Sequence, residues 1–129
     1  MRAEELKGHL DAVLLAALEG GPRHGYAVIE ALRQSTDGRL DLPTGTIYPA
    51  LRRLEQAGLI AGTWSVVGGR RRREYRLTPA GIRALSGRRA AWRDFSAIVT
   101  AALESATLVN AALDNAALED TACPSPNPA

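Results

Sequence analysis

The sequence contains little cysteine and almost no lysine, and it has no long uninterrupted apolar run. Cys123 is the only cysteine among the 129 residues, so no disulfide can form within the chain, which is typical of a reducing, cytoplasmic environment. No apolar run approaches the ~18 residues that a membrane-spanning helix needs. The apolar run over residues 12–18 lies between Asp11 and Glu19 without a distinct basic segment before it. We therefore expect no signal peptide and no membrane partner.

Side-chain groupings that carry catalysis or bind metals are also missing. We find no paired carboxylates and no nucleophile elbow, and no phosphate-loop lysine follows the glycine pairs at residues 20–21 and 68–69. His9, His24 and Cys123 lack the spacing of metal ligands. The sequence therefore predicts a protein that is not an enzyme and that needs no cofactor or metal.

Charges of opposite sign are segregated along the chain. The formal net charge is only +2, but residues 52–93 contain eleven arginines against Glu55 and Glu74, which gives this third of the chain a local charge of +9. Residues 94–129 contain five acids and no base. Fifteen of the sixteen basic side chains are arginine, whose planar guanidinium suits bidentate contacts with phosphate or guanine. The distribution indicates a polyanionic partner for residues 52–93.

Hydrophobic periodicity predicts two helices before residue 36. Apolar residues recur at helical spacing over residues 6–19, and the Gly-Gly-Pro run at residues 20–22 ends that helix. A second helix is predicted over residues 24–35, with Tyr26, Ala27, Ile29 and Leu32 on its buried side. We expect Tyr26, like Tyr75 further along the chain, to be a core residue.

A third helix is predicted to begin near Thr44 or Thr46, because either hydroxyl can cap a helix. Pro49 favours the later cap or a bent first turn, since proline is tolerated only in the first turn of a helix. The inner stripe of this helix is formed by Ile47, Ala50, Leu51 and Leu54. The side chains of four other residues point away from this stripe, namely Tyr48, Arg52, Arg53 and Gln56.

Two strands are predicted next, over residues 60–67 and 72–78. The link between them, Gly68-Gly69-Arg70, supplies the residues that a tight hairpin needs. Trp64 and Val66 share one face of the first strand, and we expect Trp64 to take part in the packing of the hairpin. Four consecutive arginines, residues 70–73, lie at the turn and at the start of the returning strand.

A long helix is predicted to start at Thr78-Pro79, with threonine as the cap and proline at the first helical position. Leu85, Trp92 and Val99 repeat every seven residues, with Phe95 and Leu103 at intermediate positions, as in a short coiled-coil seam. We predict a dimerisation helix over residues 78–118. Residues 119–129, rich in proline and poor in hydrophobic side chains, are expected to form a disordered tail.

The order of these elements is that of a winged helix-turn-helix. The sequence thus predicts a mainly α fold with a small β-wing, in which residues 1–77 form a DNA-binding domain in front of a long C-terminal dimerisation helix. The third helix of such a domain can enter the major groove. The arginines of the hairpin can then meet phosphates or the negative potential of a narrow minor groove.

Several short motifs follow one another at a specific spacing. They are His24-Gly25-Tyr26, the run TGTIYPALRRLE over residues 44–55, Gly58-Leu59-Ile60, the run YRLTPAG over residues 75–81, and Trp92. In this order they resemble the PadR family of transcriptional regulators over about residues 6–103. The single long C-terminal helix is similar to that of the smaller members of the family.

The resemblance implies a homodimeric repressor that binds double-stranded DNA at a pseudo-palindromic operator. Carried over from the family pattern, the recognition-helix residues would be Thr44, Thr46, Tyr48, Arg52 and Arg53. The wing residues would be Arg70, Arg71, Arg72 and Arg73. Members of the family often have an acidic residue or proline in the wing, so unbroken arginine favours more non-specific affinity here. The dimer seam would contain Leu85, Trp92, Phe95, Val99 and Leu103.

Two alternatives stay open. Trp92 could only pack in the dimer seam, or it could stack a planar small-molecule effector beside Phe95, as in multidrug-sensing members of the family. The whole chain could also be a winged-helix module that binds a protein and does not read DNA sequence. The arginine block over residues 52–93 favours DNA, because a module that binds only protein does not need it.

Overall fold

The computed structural model describes residue 6 and residues 8–122, apart from the side chains of residues 106–109 and 116–122. The elements in chain order are α1 (Leu10–Ala17), β1 (Arg23–His24), α2 (Gly25–Ser35), α3 (Thr44–Gln56), β2 (Ile60–Val67), β3 (Arg70–Leu77) and α4 (Pro79–Ala122). The protein is mostly helical with a small sheet and a long last helix, which confirms the predicted fold class. Residues 123–129 of the predicted tail, which include Cys123, lie outside the described residues.

The hydrophobic core lies where α1, α2 and α3 meet the sheet. Its fully buried members come from each of these elements and include Leu14, Leu15, Val28, Ile47, Leu51, Leu54 and Ile60. The inner stripe of α3 is buried as predicted, and so is Tyr75. Burying side chains of this size supplies the main driving force for the fold, about 1.5–3 kcal/mol each.

The buried side of α2 differs from the prediction. Tyr26 is 66% exposed, and the buried residues of this helix are Gly25, Val28 and Leu32. The expectation that Tyr26 is a core residue was therefore wrong. The buried stripe includes a glycine, which carries no apolar side chain and so leaves no hydrophobic signal in the sequence.

Helix α3 starts at one of the two predicted positions, but its cap differs from the prediction. The helix begins at Thr44 after Pro43, and no side chain caps it. Pro49 consequently lies inside the helix, with Gly45 four residues before it. A proline ring clashes with the carbonyl of the residue four positions earlier, and a glycine at that position gives the backbone the most freedom to adjust. The predicted threonine cap was wrong.

The sheet has three antiparallel strands in the order β1-β3-β2. The hairpin of β2 and β3 turns at Gly68 and Gly69, which both have positive φ, as a two-residue hairpin loop requires. In this register Trp64 lies opposite Arg73 and Val66 opposite Arg71. The hairpin is confirmed, whereas the two-residue strand β1, which pairs with Tyr75 and Glu74, was not predicted.

The last helix begins as the sequence predicts. The Thr78 hydroxyl oxygen accepts a hydrogen bond from the Gly81 N–H at 3.1 Å, and the same hydroxyl donates to the Gly58 carbonyl at 2.7 Å. Helix α4 continues to Ala122, four residues beyond the predicted end at residue 118.

The chain forms two compact units, the first reaching to Arg89 and the second starting at Ala90. Segment Pro79–Asn115 of α4 is long and apolar enough to meet the criterion for a membrane-spanning helix. The core helix of a soluble protein passes the same test but is mostly buried, whereas the window of α4 that meets the criterion is not buried within the chain.

Candidate nucleic-acid interface

The side of α3 that faces away from the core carries the predicted recognition residues. Thr44, Tyr48, Arg52 and Arg53 are exposed and Thr46 is half-buried, while the opposite stripe is buried. This division follows from the helical repeat, because apolar residues at positions 47, 50, 51 and 54 form one face. The structure thus places the five predicted residues outside the buried stripe of α3.

Tyr48 combines packing with exposure. Its ring lies so close to Gly25 that a Cβ atom at that glycine would be 2.5 Å from the ring Cε1 atom, yet the side chain is 38% exposed. Burial raises the pKa of the Tyr48 phenol, and the neighbouring Tyr26 and Tyr75 add to the shift. The hydroxyl is therefore neutral at physiological pH and can donate a hydrogen bond to a phosphate.

The two arginines of α3 have different surroundings. Arg53 donates a hydrogen bond to the Asp11 carboxylate at 2.5 Å, although its side chain remains 57% exposed. Asp11 also lies 3.9 Å from Arg88 at the start of α4. Arg52 is exposed on the neighbouring face of the helix, about 100° away. Since the charge of Arg53 is partly balanced within the chain, Arg52 is the stronger candidate for a DNA contact.

The four arginines of the wing fall into two groups. Arg72 and Arg73 are half-buried, and they contact His24 at the start of α2 and Glu55 in α3. Arg70 and Arg71 are exposed, and the Arg71 guanidinium lies over the Trp64 ring, with its Cζ atom 4.6 Å from the ring centroid. Trp64 itself is 58% exposed. Its packing is therefore against arginine side chains and not in the core.

Glu55 and His24 hold the wing in place, a function that the sequence did not reveal. Besides its ion pair with Arg73, the Glu55 carboxylate accepts a hydrogen bond from the Gly62 N–H at 3.2 Å. One signal was available, because Glu55 and Glu74 are the two acids in a segment with eleven arginines. An isolated acid within a basic segment is a natural internal partner for one of those arginines.

The predicted seam residues divide between the two units. In the second unit Trp92, Phe95, Val99 and Leu103 are exposed, and the rings of Trp92 and Phe95 have centroids 6.0 Å apart. Leu85 is only 2% exposed and belongs to the core of the first unit. A side chain buried within its own chain cannot also contact a partner, so Leu85 is not a residue of the proposed dimer seam. A shallow groove on the second unit is lined by Arg93, Ser96, Ala97, Thr100, Ala101 and Glu104.

Comparison with known proteins agrees with this geometry. The model of the transcriptional regulator PadR-like family matches residues 14–87, which is more than half of the chain. The chain belongs to the PadR-like family of transcriptional regulators. The matched residues begin in α1 and end in α4, so they include α3 and the whole wing.

Two curated proteins are similar in sequence. A transcriptional regulator of Mycobacterium tuberculosis is 42% identical over 74 residues, which cover 57% of this chain and 56% of that protein. An uncharacterised protein of Lysinibacillus sphaericus is 27% identical over 105 residues, which cover 81% of this chain and 96% of that protein. The higher identity is confined to a segment little longer than half of either chain.

Solved structures extend the likeness to most of the chain. A PadR family transcriptional regulator from Eggerthella lenta has a TM-score of 0.68 at 33% identity and covers 79% of this chain and 88% of its own. A transcriptional regulator from Clostridium thermocellum has a TM-score of 0.70 at 28% identity and covers 75% of this chain and 95% of its own. This PadR-like chain is therefore a DNA-binding regulator of transcription, and no catalytic activity is indicated by its relatives.

Proposed function

We propose that this PadR-like regulator is a cytoplasmic homodimeric repressor that places α3 in the major groove and the wing on the flanking backbone. The observation that carries the proposal is the set of bonds that joins the two elements. Glu55 of α3 binds both Arg73 of β3 and the backbone of β2. The exposed cations of α3 and of the wing therefore keep a fixed separation, as a regular spacing of phosphates demands.

Dimerisation is supported by the exposed apolar residues of the second unit. Trp92, Phe95, Val99 and Leu103 follow a coiled-coil-like spacing and are between 37% and 68% exposed in the single chain. A contiguous apolar stripe of this kind is unfavourable in water and typical of an interface. We propose that a second copy covers it, and not a lipid bilayer. A two-fold axis would then require a pseudo-palindromic operator with half-sites roughly 34–36 Å apart.

Release by a small molecule is the finer part of the proposal. Trp92 and Phe95 are neighbours with rings inclined at 37°. We propose that a planar ligand stacks on one of these rings in a cavity between the two copies of the dimer. Asp94 and Glu104 add negative charge to a segment that contains no base after Arg93, which suits a cationic ligand. A planar cationic dye should quench the fluorescence of the DNA-free protein, and Trp92→Ala should abolish that quenching. Equal quenching of the variant would remove Trp92 from the proposed effector site.

Sequence-specific binding is tested by fluorescence anisotropy. The protein is titrated onto DNA from directly upstream of its own gene and onto a scrambled duplex of the same composition, at several salt concentrations. We expect tighter binding to the upstream DNA and an affinity that falls steeply with salt. Equal and weak binding to both duplexes would contradict a repressor of its own promoter, and it would favour a module that binds protein.

A further inference from the structure

The four consecutive arginines of the wing alternate between the two faces of β3, since successive side chains of a strand point to opposite sides. Their exposure does not follow this alternation. Arg70 and Arg71, next to the hairpin turn, are exposed, whereas Arg72 and Arg73 are half-buried. The difference follows the distance from the turn, and each half-buried arginine has a defined partner.

Arg73 is held by α3 and by the backbone of β2. Its guanidinium forms a hydrogen-bonded ion pair with Glu55, and that hydrogen bond raises the pKa of Arg73 above its already high value. Gly62 leaves the space for this arrangement, because a Cβ at that position would lie 2.6 Å from the Arg73 Nε atom. The charge of Arg73 is thus balanced within the chain by a carboxylate that also accepts from Gly62.

Arg72 is directed to the other face of the hairpin. Its Nη1 atom lies 2.6 Å from Nε2 of His24. Arginine can only donate, so Nε2 accepts from Arg72 in the tautomer that carries its proton on Nδ1. That Nδ1 atom lies 3.3 Å from the Ala27 backbone nitrogen in the first turn of α2. The contact therefore joins β3 to the first turn of α2.

Arg71 has no such link to a helix among the residues that the structure describes. Its guanidinium lies over Trp64, which also has Arg73 nearby, with the two Cζ atoms 4.6 and 5.3 Å from the ring centroid. Stacking on an aromatic face orients a guanidinium but leaves its N–H groups, which lie in the guanidinium plane, able to bind acceptors. Trp64 therefore fixes the direction of Arg71 without consuming its hydrogen bonds.

We propose that the wing divides its arginines between two tasks. Arg72 and Arg73 fasten the wing to α2 and α3, while Arg70 and Arg71 bind DNA phosphates. Trp64 is a positioning residue that acts through Arg71. This division rests on the proposed DNA binding and deepens it, because it assigns the phosphate contacts of the wing to two of its four consecutive arginines.

The salt dependence of DNA binding tests the division. Each phosphate contact contributes about 0.9 to the slope of log affinity against log salt. Arg70→Gln and Arg71→Gln should therefore each lower the slope by about 0.9 per subunit. Arg72→Gln, and the double variant Glu55→Gln with Arg73→Gln that keeps the net charge constant, loosen the attachment of the wing. They should weaken DNA binding but lower the slope by less than Arg71→Gln does. Arg83→Gln serves as the control, since it removes an exposed arginine from α4 outside the wing.

The positioning effect of Trp64 is tested with two variants that both keep an apolar side chain in place. Trp64→Leu removes the aromatic face and should lower the slope as much as Arg71→Gln does. Combining Trp64→Leu with Arg71→Gln should lower it no further, because both changes remove the same contact. Trp64→Phe keeps an aromatic face and should retain most of the slope.

The measurements are made on a random-sequence duplex as well as on the upstream DNA. A slope that falls equally for Arg71→Gln and Arg72→Gln would overturn the division, and additive effects of Trp64→Leu and Arg71→Gln would overturn the positioning effect. Because slopes can be measured on the random duplex, the division can succeed or fail independently of any preference for the upstream DNA.

Discussion

Tyr48 and Gly25 show how a single missing side chain can place a functional ring. A methyl group at Gly25 would lie 2.5–2.6 Å from three atoms of Tyr48, closer than real Cβ contacts allow. Gly25→Ala should therefore displace the ring and destabilise the protein by roughly 1–3 kcal/mol, as overpacking does.

The loss of stability is measured by urea unfolding of four proteins, namely the wild type, Gly25→Ala, Tyr48→Ala and the double variant. In the Tyr48→Ala background the new methyl group meets no ring, and alanine is the better helix former, so Gly25→Ala should be neutral or stabilising there. An equal loss of stability in both backgrounds would contradict the contact.

The ion pair between Glu19 and Arg89 gives the first unit a pH-dependent contribution to stability. Arg89 donates hydrogen bonds of 2.7 and 2.8 Å to the two carboxylate oxygens, and these bonds hold the pKa of Glu19 below its usual 4.5. A carboxylate whose pKa falls on folding stabilises the native state above its unfolded pKa, and this contribution is lost as the pH falls through the folded pKa.

Glu19→Gln should accordingly lower the melting temperature slightly at neutral pH, and the difference from the wild type should shrink in acid. The melting temperatures of the variant and the wild type are measured by thermal unfolding at neutral and at acidic pH. A difference that stays constant with pH would mean that the pair contributes nothing through its charge.

Gly81 determines how closely α4 approaches the rest of the first unit. A Cβ at Gly81 would lie 1.9 Å from the Leu59 carbonyl oxygen, which is backbone and also accepts the Thr78 N–H at 3.1 Å. Gly81→Ala must therefore shift the start of α4, at a cost of about 3 kcal/mol or more on the scale of overpacked cores.

Gly87 is the matched control on the same helix, because no atom of the described residues lies within 4 Å of a Cβ built there. Gly87→Ala should stabilise the protein by about 1 kcal/mol through helix propensity. Chemical denaturation of the two variants gives both values. Similar effects of the two substitutions would show that the contact with Leu59 is unimportant.

Much of the element order could be predicted because each long element has a local signature. Three of these signatures are short-range patterns: the apolar stripe of α3 at helical spacing, the Gly-Gly turn and the Thr-Pro start of α4. The strand β1 was missed because its two residues are defined only by hydrogen bonds to Tyr75 and Glu74, about fifty positions away in sequence. Tyr26 was placed on the wrong side because the buried stripe of α2 passes through Gly25.

The recognition residues of α3 could be predicted for the same reason, since exposure follows from the helical repeat. The division among the wing arginines could not be predicted, because the four positions Arg70–Arg73 hold the same residue type and differ only in their tertiary contacts. Glu55 and His24 are fixed near the wing by packing of α3 and α2. Leu85 fits the heptad repeat of the seam, but the core of the first unit buries it.

At the scale of the whole molecule, the seam of α4 should decide whether the protein dimerises. Val99→Arg places a charge in the centre of the proposed interface, so the variant should sediment as a monomer and bind operator DNA weakly. Ala101→Arg adds the same charge to the same helix about 160° away around its axis, where it lies near Glu104. That variant should remain dimeric, and dissociation of both variants, or of neither, would contradict the proposed seam.

The central claim is that two copies of α3 and the wing read a two-fold symmetric DNA site. Hydroxyl-radical footprinting of the DNA directly upstream of the gene tests this claim most directly. We predict two protected half-sites centred one helical turn apart, roughly 34–36 Å, with flanking protection by the wings that disappears in the double variant of Arg70→Gln and Arg71→Gln. Uniform protection without a repeating pattern, or a footprint that is unchanged in the double variant, would contradict the account.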